Sequence, residues 1–467
     1  SLSPPGPGRA RPAVDGSPAL VLFHSYHFLL FLPIVVGVYR TLSVRYRVFW
    51  LAAASCYFYA QLIPAYLLVM FLMVAIDYAA GRWMQASRGT ARLLAMLFSL
   101  VGNLALLGVF KYWEFWGQLV RPMGLIWPSL NWPLPVGLSF HTFQSLAYTF
   151  EVYSGRYAAE RSLVHFLTYV LFFPQLAAGP IERPRRLLGQ LRAASNADRL
   201  QIYSGLRLMC LGYVKKVFVA DTLAPFVDEV YAQPTELMGP ALGLATLYFL
   251  FQIYCDFSGY TDMALGCARI LGFQLSRNFQ RPFLATSLRE FWRRWHISLG
   301  TWFRDYVYPH ARRYGVTLGL ILTFGLSGFW HGAHAKFLLW GLYHGILVAF
   351  ERGFPRFLRQ GWLGRGLMLL LLVWSMPLFR AQSLQDALYV QACFFAPGSS
   401  TLPLWPLLLI LLVYGLEYLE ERGWLRYPGL NAEMACIYAS VIVAAVTYSE
   451  LTHGDSQGLR QFVYFQF

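Results

Sequence analysis

Long apolar runs recur throughout this chain of 467 residues and restrict it to a helical fold within a lipid bilayer. Apolar residues make up 57% of the chain and charged residues only 13%, which is about half the charged fraction of a soluble protein. Inside lipid every backbone N–H and C=O must be paired within the protein, which helices achieve and open strands do not. We therefore expect an all-α, polytopic integral membrane protein.

Helix-length apolar segments follow one another along the chain. A membrane-spanning helix needs about 20 apolar residues, and several of these segments are shorter, so we expect about eleven transmembrane helices rather than one for every segment. A further segment, 134–152, begins Pro-Leu-Pro-Val-Gly and predicts a short or re-entrant helix. The candidate spans are residues 22–39, 47–60, 62–80, 92–110, 162–179, 203–222, 237–254, 316–330, 335–351, 364–379, 403–420 and 433–449.

The formal net charge of +15 arises in short loops between the apolar runs. The most basic loops are 40–47, 82–92, 182–199 and 277–313, and the positive-inside rule places them on the cytoplasmic side. The stretch 112–132 is aromatic and nearly uncharged, so we expect it to face outward. Nucleic-acid binding would need a basic face on a soluble domain, which the sequence does not indicate, so no nucleic-acid partner is expected.

The chain is predicted to form one membrane domain, residues 19–467, behind a disordered lead-in. Residues 1–18 are rich in Pro, Gly and Arg, a composition that does not build a packed core. No internal repeat is evident, which weighs against a transporter made of inverted repeats. The six cysteines are scattered and lack metal-ligand spacing, so they indicate neither a disulfide framework nor a metal site.

His331 is an ionisable residue within a membrane-span pattern. Holding such a group in hydrocarbon is costly, so it predicts a functional site that faces a protein-lined cavity. Together with His334 it could ligate zinc, but a zinc site needs three or four protein ligands and no carboxylate or cysteine lies near in sequence. We therefore expect no metal. The same segment carries three glycines that allow close helix packing or a local break, Gly325, Gly328 and Gly332.

The stretch 287–306 predicts one amphipathic helix at the membrane surface. Ser287 followed by Glu290 has capping-box spacing, which indicates where the helix begins. An apolar stripe at steps of three and four would contain Trp292, His296, Leu299, Phe303 and Tyr306. The basic residues that lie largely off this stripe are Arg293, Arg294 and Arg304. From this segment alone, a hydrogen-bonded core histidine is favoured over a functional role for His296.

Two further sets of polar residues lie in apolar surroundings. Asp256 and Asp262 close an apolar run and could be a catalytic pair. The residue types instead favour Asp256, Ser258 and Thr261 bonding to backbone at a helix end or pairing with a nearby arginine. His141, Gln144 and Gln175 must each find a hydrogen-bond partner or line a wet cavity, and the sequence leaves these two interpretations equal.

Eight short motifs, in order along the chain, resemble the membrane-bound O-acyltransferase family, and within it the bacterial alginate O-acetyltransferase-like branch. Each motif alone is weakly specific, whereas their joint order is highly specific. The motifs are Phe23-His-Ser-Tyr-His-Phe, Pro135-Val-Gly-Leu-Ser-Phe-His-Thr-Phe-Gln144, Phe172-Phe-Pro-Gln-Leu-Ala-Ala-Gly-Pro-Ile181, Asp256-Phe-Ser-Gly-Tyr-Thr-Asp-Met-Ala264, Phe291-Trp-Arg-Arg-Trp-His-Ile-Ser-Leu299, Phe329-Trp-His-Gly332, Trp340-Gly-Leu-Tyr-His-Gly345 and Phe379-Arg-Ala-Gln-Ser383.

The resemblance implies a ring of tilted helices around a tunnel, in which an acyl donor from the cytoplasm meets its acceptor. It also implies that His331 is the active histidine and His296 the second signature histidine. The chain departs from the family after Tyr308, where Ile-Pro-Leu-Gly-Gly is usual and Pro309-His-Ala-Arg-Arg-Tyr-Gly315 stands here. Donor or partner contacts that the family makes at this segment therefore do not carry over to this chain from the resemblance.

The residues and the resemblance together predict an O-acetyltransferase of a bacterial inner membrane. The donor would be acetyl-CoA, as a substrate and not a bound cofactor, and the acceptor a hydroxyl of an exported polysaccharide or of a periplasmic relay acetyltransferase. His331 would be the general base, His296 would orient the donor or polarise its carbonyl, and the lack of a serine or cysteine elbow favours direct transfer. Residues expected to bind donor or substrate, or to tune the site, are Arg293, Arg294, Trp295, Arg304, Asp256, Gln144, His141, Gln175 and Trp330.

Two alternatives remain open at this point. The same fold could transfer D-alanyl or another acyl group from a carrier protein. A secondary transporter or an export-channel component would also carry His and Asp within the membrane, but a transporter should show paired broken helices in two halves. An export-channel component would not turn over acetyl-CoA.

Overall fold

The computed structural model describes residues 23–61, 63–130, 132–176, 179–353, 361–398, 402–424 and 431–453. These residues form α-helices joined by turns and short 3-10 segments, and no strand occurs among them, which confirms the all-α class. The lead-in expected at 1–18 lies outside the described residues. The α-helices are α1 (Tyr26–Thr41), α2 (Val44–Ala60), α3 (Tyr66–Ala86), α4 (Gly89–Phe110), α5 (Trp113–Val120), α6 (Leu138–Tyr153), α7 (Leu163–Leu171), α8 (Phe173–Leu176), α9 (Pro184–Ala193), α10 (Arg199–Tyr213), α11 (Asp221–Ala232), α12 (Gly239–Ile270), α13 (Leu288–Arg294), α14 (Ile297–Tyr306), α15 (Tyr308–Ala311), α16 (Val316–His331), α17 (Ala335–Gly353), α18 (Gly361–Ser375), α19 (Pro377–Arg380), α20 (Leu384–Cys393), α21 (Pro406–Glu421) and α22 (Ala432–His453).

Five helical stretches among the described residues are long and apolar enough to cross a bilayer: Tyr66–Ala86, Gly89–Phe110, Gly239–Ile270, Leu363–Arg380 and Ala432–Thr452. Two shorter apolar helices are α1 and α16. These helices confirm a multi-pass membrane protein. Judged by helix length and composition, the described residues contain five candidate spans. The expected count of about eleven spans therefore stays a prediction.

The apolar run at 162–179 was expected to be one span, and that prediction is wrong. The structure divides it into α7 and the four-residue α8, with Phe172 between them outside helical geometry. Pro174 has no N–H to donate and so cannot continue the hydrogen-bond ladder of α7. The N–H of Phe173 instead donates to Ser55 Oγ, at 3.1 Å.

α12 is the central helix of the fold and contributes side chains to both large hydrophobic clusters. It packs closely on α10 because glycines face each other across the pair. A Cβ built at Gly259 would lie 2.7 Å from Gly212 O, and one at Gly266 would lie 2.5 Å from Gly205 O. α10 then continues through a π-helical segment, Val214–Ala220, into α11.

Asp256 and Asp262 were expected near the end of a span at 237–254, and that expectation is wrong. α12 is 32 residues long and runs through both acids to Ile270. The chain can remain helical there because Asp256 is paired within the protein, at 2.7 Å from Lys216 Nζ. Lysine therefore takes the place of the arginine that the sequence interpretation favoured.

α16 and α17 form a second closely packed pair. A Cβ at Gly328 would clash with the carbonyl oxygen of Phe337, and one at Gly341 would clash with that of Phe324. α16 ends at His331, and Gly332 takes an extended conformation before α17 begins. Both expectations for the glycine-rich segment are therefore confirmed, the close packing and the break.

Candidate active site

His331 is the last residue of α16, and its ring lies among aromatic side chains. It is only 5% exposed. The ring centroid lies 4.8 Å from Trp330, 5.5 Å from Trp340 and 5.2 Å from Phe379. Trp340 reaches this position because the glycine contacts bring α17 close to α16. The break after His331 also separates it from His334, which is exposed in the turn that follows.

Lys111 and Tyr112, which follow α4 directly, hold the end of α16 in place. Lys111 Nζ donates to the carbonyl oxygen of His331 at 2.9 Å, and Tyr112 OH donates to that of Phe329 at 3.1 Å. The last carbonyls of a helix lack partners within it, and a cation is favourable at that end. Sequence reasoning missed both residues, although a lone lysine at the end of a long apolar run could have indicated that Lys111 has a partner within the protein.

His296 lies at a break between α13 and α14, so the prediction of one continuous helix at 287–306 is wrong. The predicted start is confirmed, since Ser287 Oγ accepts from Glu290 N at 3.2 Å. The helix stops because Trp295 is extended and His296 takes a left-handed conformation, with φ 44° and ψ 52°. Left-handed backbone is costly for a residue other than glycine, and it persists where the surroundings fix it.

The segment around Asn278 fixes this break. Asn278 O accepts from Ile297 N at 2.8 Å. Its side-chain Oδ1 accepts from Ser298 Oγ at 3.0 Å and from Ser298 N at 3.3 Å. The same oxygen lies 3.1 Å from His296 Nδ1. Because an amide oxygen only accepts, Nδ1 of His296 carries the hydrogen, and a neutral ring then presents Nε2 as an acceptor.

The structure brings His296 and His331 into one aromatic region from separate helices. His296 packs edge-on against Phe257, with centroids 4.7 Å apart, and lies 6.1 Å from Phe140. Phe140 also contacts Trp330, at 5.4 Å. The two imidazoles lie within electrostatic range of each other, and Lys111 lies within range of His331. Two imidazoles so placed can divide proton acceptance and substrate orientation between them.

A small apolar recess adjoins this region. Trp340 and Phe379, which contact the His331 ring, are also part of the cavity wall. Three nitrogens on wall residues have no hydrogen-bond partner within the described part of the chain: Trp292 Nε1, Trp340 Nε1 and His344 Nδ1. An apolar recess with a few unpaired polar groups is the usual form of a small-molecule site. The lining residues are Leu250, Ile253, Phe291, Trp292, Trp295, Trp340, His344, Leu372, Met376 and Phe379.

The three arginines expected to lie off the apolar stripe of one helix belong to two helices instead. Arg293 and Arg294 belong to α13, whereas Arg304 belongs to α14, because the chain turns at His296. Arg294 binds Glu290 at 2.7 Å and Glu421 at 3.2 Å. Arg304 is paired with its neighbour Asp305 at 2.9 Å. Arg293 is exposed, and it is the member of the set best placed to meet a ligand from solvent.

Gln144 and Gln175 make a hydrogen-bonded pair that ties α6 to α7 and α8. Gln175 Nε2 donates to Gln144 Oε1 at 3.1 Å and to the carbonyl of Tyr169 at 2.9 Å. Gln144 Nε2 donates to the same carbonyl. His141, one turn earlier on α6, is buried with its ring against Gly137. These contacts favour a structural role for the two glutamines.

Three other predicted site residues, Trp330, Asp256 and Trp295, take different positions relative to the histidine region. Trp330 is within it, stacked on Phe143 at 5.0 Å, with Lys111 Nζ 5.4 Å from its ring centroid. Asp256 faces Lys216 next to α10, while its neighbour Phe257 is the residue that meets His296. Trp295 is buried against Phe291, with stacked rings 5.4 Å apart.

The segment 309–315, where the chain departs from the expected motif, forms α15 and a 3-10 turn that folds back on the start of α16. Gly315 adopts φ 101°, a conformation that glycine tolerates. A Cβ at Gly319 would lie 2.8 Å from the Cα of Arg312, so the turn and α16 are in close contact.

Comparison with known proteins finds relatives that are named as acyl-transferring enzymes. Residues 155–376 match the model of the membrane-bound O-acyltransferase family. The chain is 36% identical to the probable alginate O-acetylase AlgI of Pseudomonas aeruginosa, over 81% of this chain and 76% of that protein. It is 33% identical to the peptidoglycan O-acetyltransferase of Helicobacter pylori, over 67% of this chain and 65% of that protein. It is 30% identical to the teichoic acid D-alanyltransferase of Bacillus subtilis, over 48% of this chain and 62% of that protein.

Proposed function

Because this chain belongs to the membrane-bound O-acyltransferase family, in its alginate O-acetylase-like branch, and is an O-acyltransferase, we propose that it moves acetyl groups across a bacterial inner membrane. The donor is acetyl-CoA on the cytoplasmic side. The acceptor is a hydroxyl of an exported polysaccharide, or of a periplasmic relay acetyltransferase. The names of the relatives from Pseudomonas aeruginosa and Helicobacter pylori, both O-acetylating enzymes, support acetyl as the acyl group.

His331 is the general base of this reaction. Its neutral imidazole takes the proton of the acceptor hydroxyl while that oxygen attacks the thioester carbonyl carbon. The tetrahedral intermediate then expels the thiolate, which receives the proton from the imidazolium, so the products are an ester and a free thiol. Such proton transfer contributes about 10²–10⁴-fold to the rate. The observation that carries this role is the placement of His331, buried at a helix end beside a cavity.

His296 orients a reactant. The hydrogen bond from its Nδ1 to Asn278 leaves Nε2 as an acceptor on the neutral ring. That nitrogen suits an N–H of the donor or the hydroxyl of the acceptor. A neutral ring of this form cannot donate to the thioester carbonyl, so orientation is favoured over polarisation.

The acyl end of the donor occupies the apolar cavity beside Trp340 and Phe379, which places the thioester near His331. The donor and the acceptor reach this place through opposite ends of a tunnel enclosed by the helices. Arg293, exposed on α13, meets the phosphates of the donor. No resident cofactor takes part.

The test compares His331→Ala with His334→Ala in membranes supplied with labelled acetyl-CoA and candidate glycans. His334 is the matched control because it lies three residues away but is exposed. We expect His331→Ala to lose acetyl transfer while His334→Ala retains it, at equal protein levels. Full activity of His331→Ala would remove this residue from the role of base.

The same assay tests the alternatives. The similarity to the teichoic acid D-alanyltransferase extends over only 48% of this chain, so acetyl transfer is the preferred proposal. Transfer from an acylated carrier protein, with none from acetyl-CoA, would favour the D-alanyl or another acyl reaction. Absence of turnover with either donor, in protein that is correctly folded, would favour a transporter or an export-channel component.

A further inference from the structure

Glu182 is a fully buried acid that has no role in the reaction proposed above. It follows the motif at 172–181 and precedes α9. Its carboxylate reaches Ser276, which lies 94 positions further along the chain. One oxygen, Oε1, accepts from the backbone N–H of Ser276, and the other, Oε2, accepts from Ser276 Oγ at 3.2 Å. The two contacts fix both the backbone and the side chain of Ser276.

Side chains of α9 bind the residues just before Ser276. Arg186 donates to the carbonyl oxygens of Gln274 at 3.1 Å and Leu275 at 3.2 Å. Gln190 accepts from the N–H of Gln274 at 2.7 Å and donates to its carbonyl oxygen at 3.0 Å. This part of the chain has no regular secondary structure, so side chains satisfy its backbone in place of a helix or a sheet.

The stretch held in this way leads directly to Asn278, which fixes the break at His296. Asn278 O accepts from Ile297 N at 2.8 Å, and Asn278 Oδ1 lies 3.1 Å from His296 Nδ1. Only Arg277 stands between Ser276 and Asn278. Because successive Cα atoms keep a separation of about 3.8 Å, a shift of Ser276 is passed on to Asn278 and from there to the ring of His296.

We propose that Glu182 is a positioning residue for His296, acting through the segment 276–278. The inference rests on the proposed function, in which His296 orients a reactant. The left-handed backbone of His296 persists only where its surroundings fix it. A carboxylate suits this task because its two oxygens accept from both donors of one serine, and burial strengthens both hydrogen bonds. A merely structural acid would affect stability and leave acetyl transfer per folded molecule unchanged.

The first experiment compares Glu182→Ala with Glu182→Gln in membranes supplied with labelled acetyl-CoA and candidate glycans. Glu182→Ala should lower kcat/KM per folded molecule by about 10²-fold, the loss that a misplacement of about 1 Å can cause. Glu182→Gln should retain most of the transfer, because its amide oxygen can accept from Ser276 N while its amide nitrogen donates to Ser276 Oγ. Full activity of Glu182→Ala would overturn the proposal.

Glu160→Ala is the matched control. Glu160 is also a buried acid that holds backbone, since its Oε1 accepts from Arg161 N at 2.8 Å and from Ser162 N at 3.0 Å. These contacts lie in the turn that precedes α7. The variant should lose stability and keep its acetyl transfer per folded molecule. A loss of transfer as large as that of Glu182→Ala would count against a specific role for Glu182.

A double-mutant cycle tests whether Glu182 acts through His296. Two changes that act through one residue are not additive, whereas independent changes are. Glu182→Ala should therefore have little further effect on kcat/KM when His296→Asn is already present. Additive losses of transfer would overturn the proposal.

Hydrogen exchange of the purified full chain tests the same link without the reaction. The amides of Ile297 and Ser298, which donate to Asn278, should exchange faster in Glu182→Ala than in the wild type. That result would support the link even if the wild type transferred no acetyl group, an outcome that would overturn the proposed function alone. Unchanged exchange would overturn the link. If Glu182→Ala does not fold, Ser276→Ala removes one of the two contacts and should show smaller changes in the same direction.

Discussion

Two buried polar regions of this protein meet α12 at neighbouring residues, Asp256 and Phe257, and they differ in whether their charged groups are paired. In the first region Lys216 meets Asp256 at 2.7 Å and Asp221 at 2.9 Å, so cation and anions are paired. In the second region His296 and His331 lie among aromatic rings beside a cavity, with Lys111 as the nearby cation. The first region has opposite charges in contact, whereas the second brings together basic side chains, His296, His331 and Lys111.

The difference separates a structural polar site from a reactive one. Paired charges between closely packed glycine-rich helices satisfy one another and fix the position of α10 on α12. Imidazoles next to an apolar cavity can instead change protonation and contact a substrate. We therefore expect substitutions at Lys216 to act on stability and substitutions at the histidines to act on turnover.

The largest effect is expected for Lys216→Met. Removing one partner of a buried ion pair costs about 3–5 kcal/mol, so the free energy of unfolding should fall by that amount. Activity per folded molecule should persist, as measured by acetyl transfer normalised to the folded fraction. Lys215→Met is the control, since its pair with Asp262 is partly exposed and should matter less. Intact stability with lost activity would place Lys216 in the reactive region.

His296→Asn should act in the opposite sense. Asparagine tolerates the left-handed backbone at this position better than most residues, so the break between α13 and α14 should remain. Misplacing a reactant by about 1 Å can cost 10²-fold in rate, and we expect a loss of about that size in acetyl transfer. The unfolding temperature should change little. An equal loss of stability and activity would indicate a packing role for the ring.

Much of the reactive region could be predicted from local sequence, and the rest depends on distant residues. The apolar length around His331 and its three glycines indicated both burial and the break. The break at His296 could not be predicted, because it is fixed by Asn278, 18 positions earlier. The contact from Lys111 spans 220 positions. Asp256 was misplaced for the same reason, since its partner lies on another helix.

Gly328→Ala tests whether the packing of α16 on α17 is what positions His331. The added methyl group would meet backbone atoms of α17, which cannot rotate away. Overpacking of this kind costs about 1–3 kcal/mol and should also move Trp340 away from His331. Gly366→Ala on α18 is the control, because its Cβ would meet nothing within 4 Å. Equal unfolding temperatures for the two variants would contradict the packing argument.

The smallest effect is expected for Tyr112→Phe, which removes the hydrogen bond to the Phe329 carbonyl while keeping the ring stacked on Phe329, at 5.0 Å. A hydrogen bond of this kind contributes about 0.5–1.5 kcal/mol. Because this hydrogen bond holds the end of α16, where His331 lies, its loss could affect both the stability of the fold and the position of a reactive residue. We expect a modest fall in unfolding temperature together with a fall in acetyl transfer of a few fold. That result would show that the Tyr112 hydrogen bond both stabilises the protein and positions the end of α16. A change in stability alone would assign Tyr112 to the scaffold and leave Lys111 as the residue outside α16 that holds the His331 backbone.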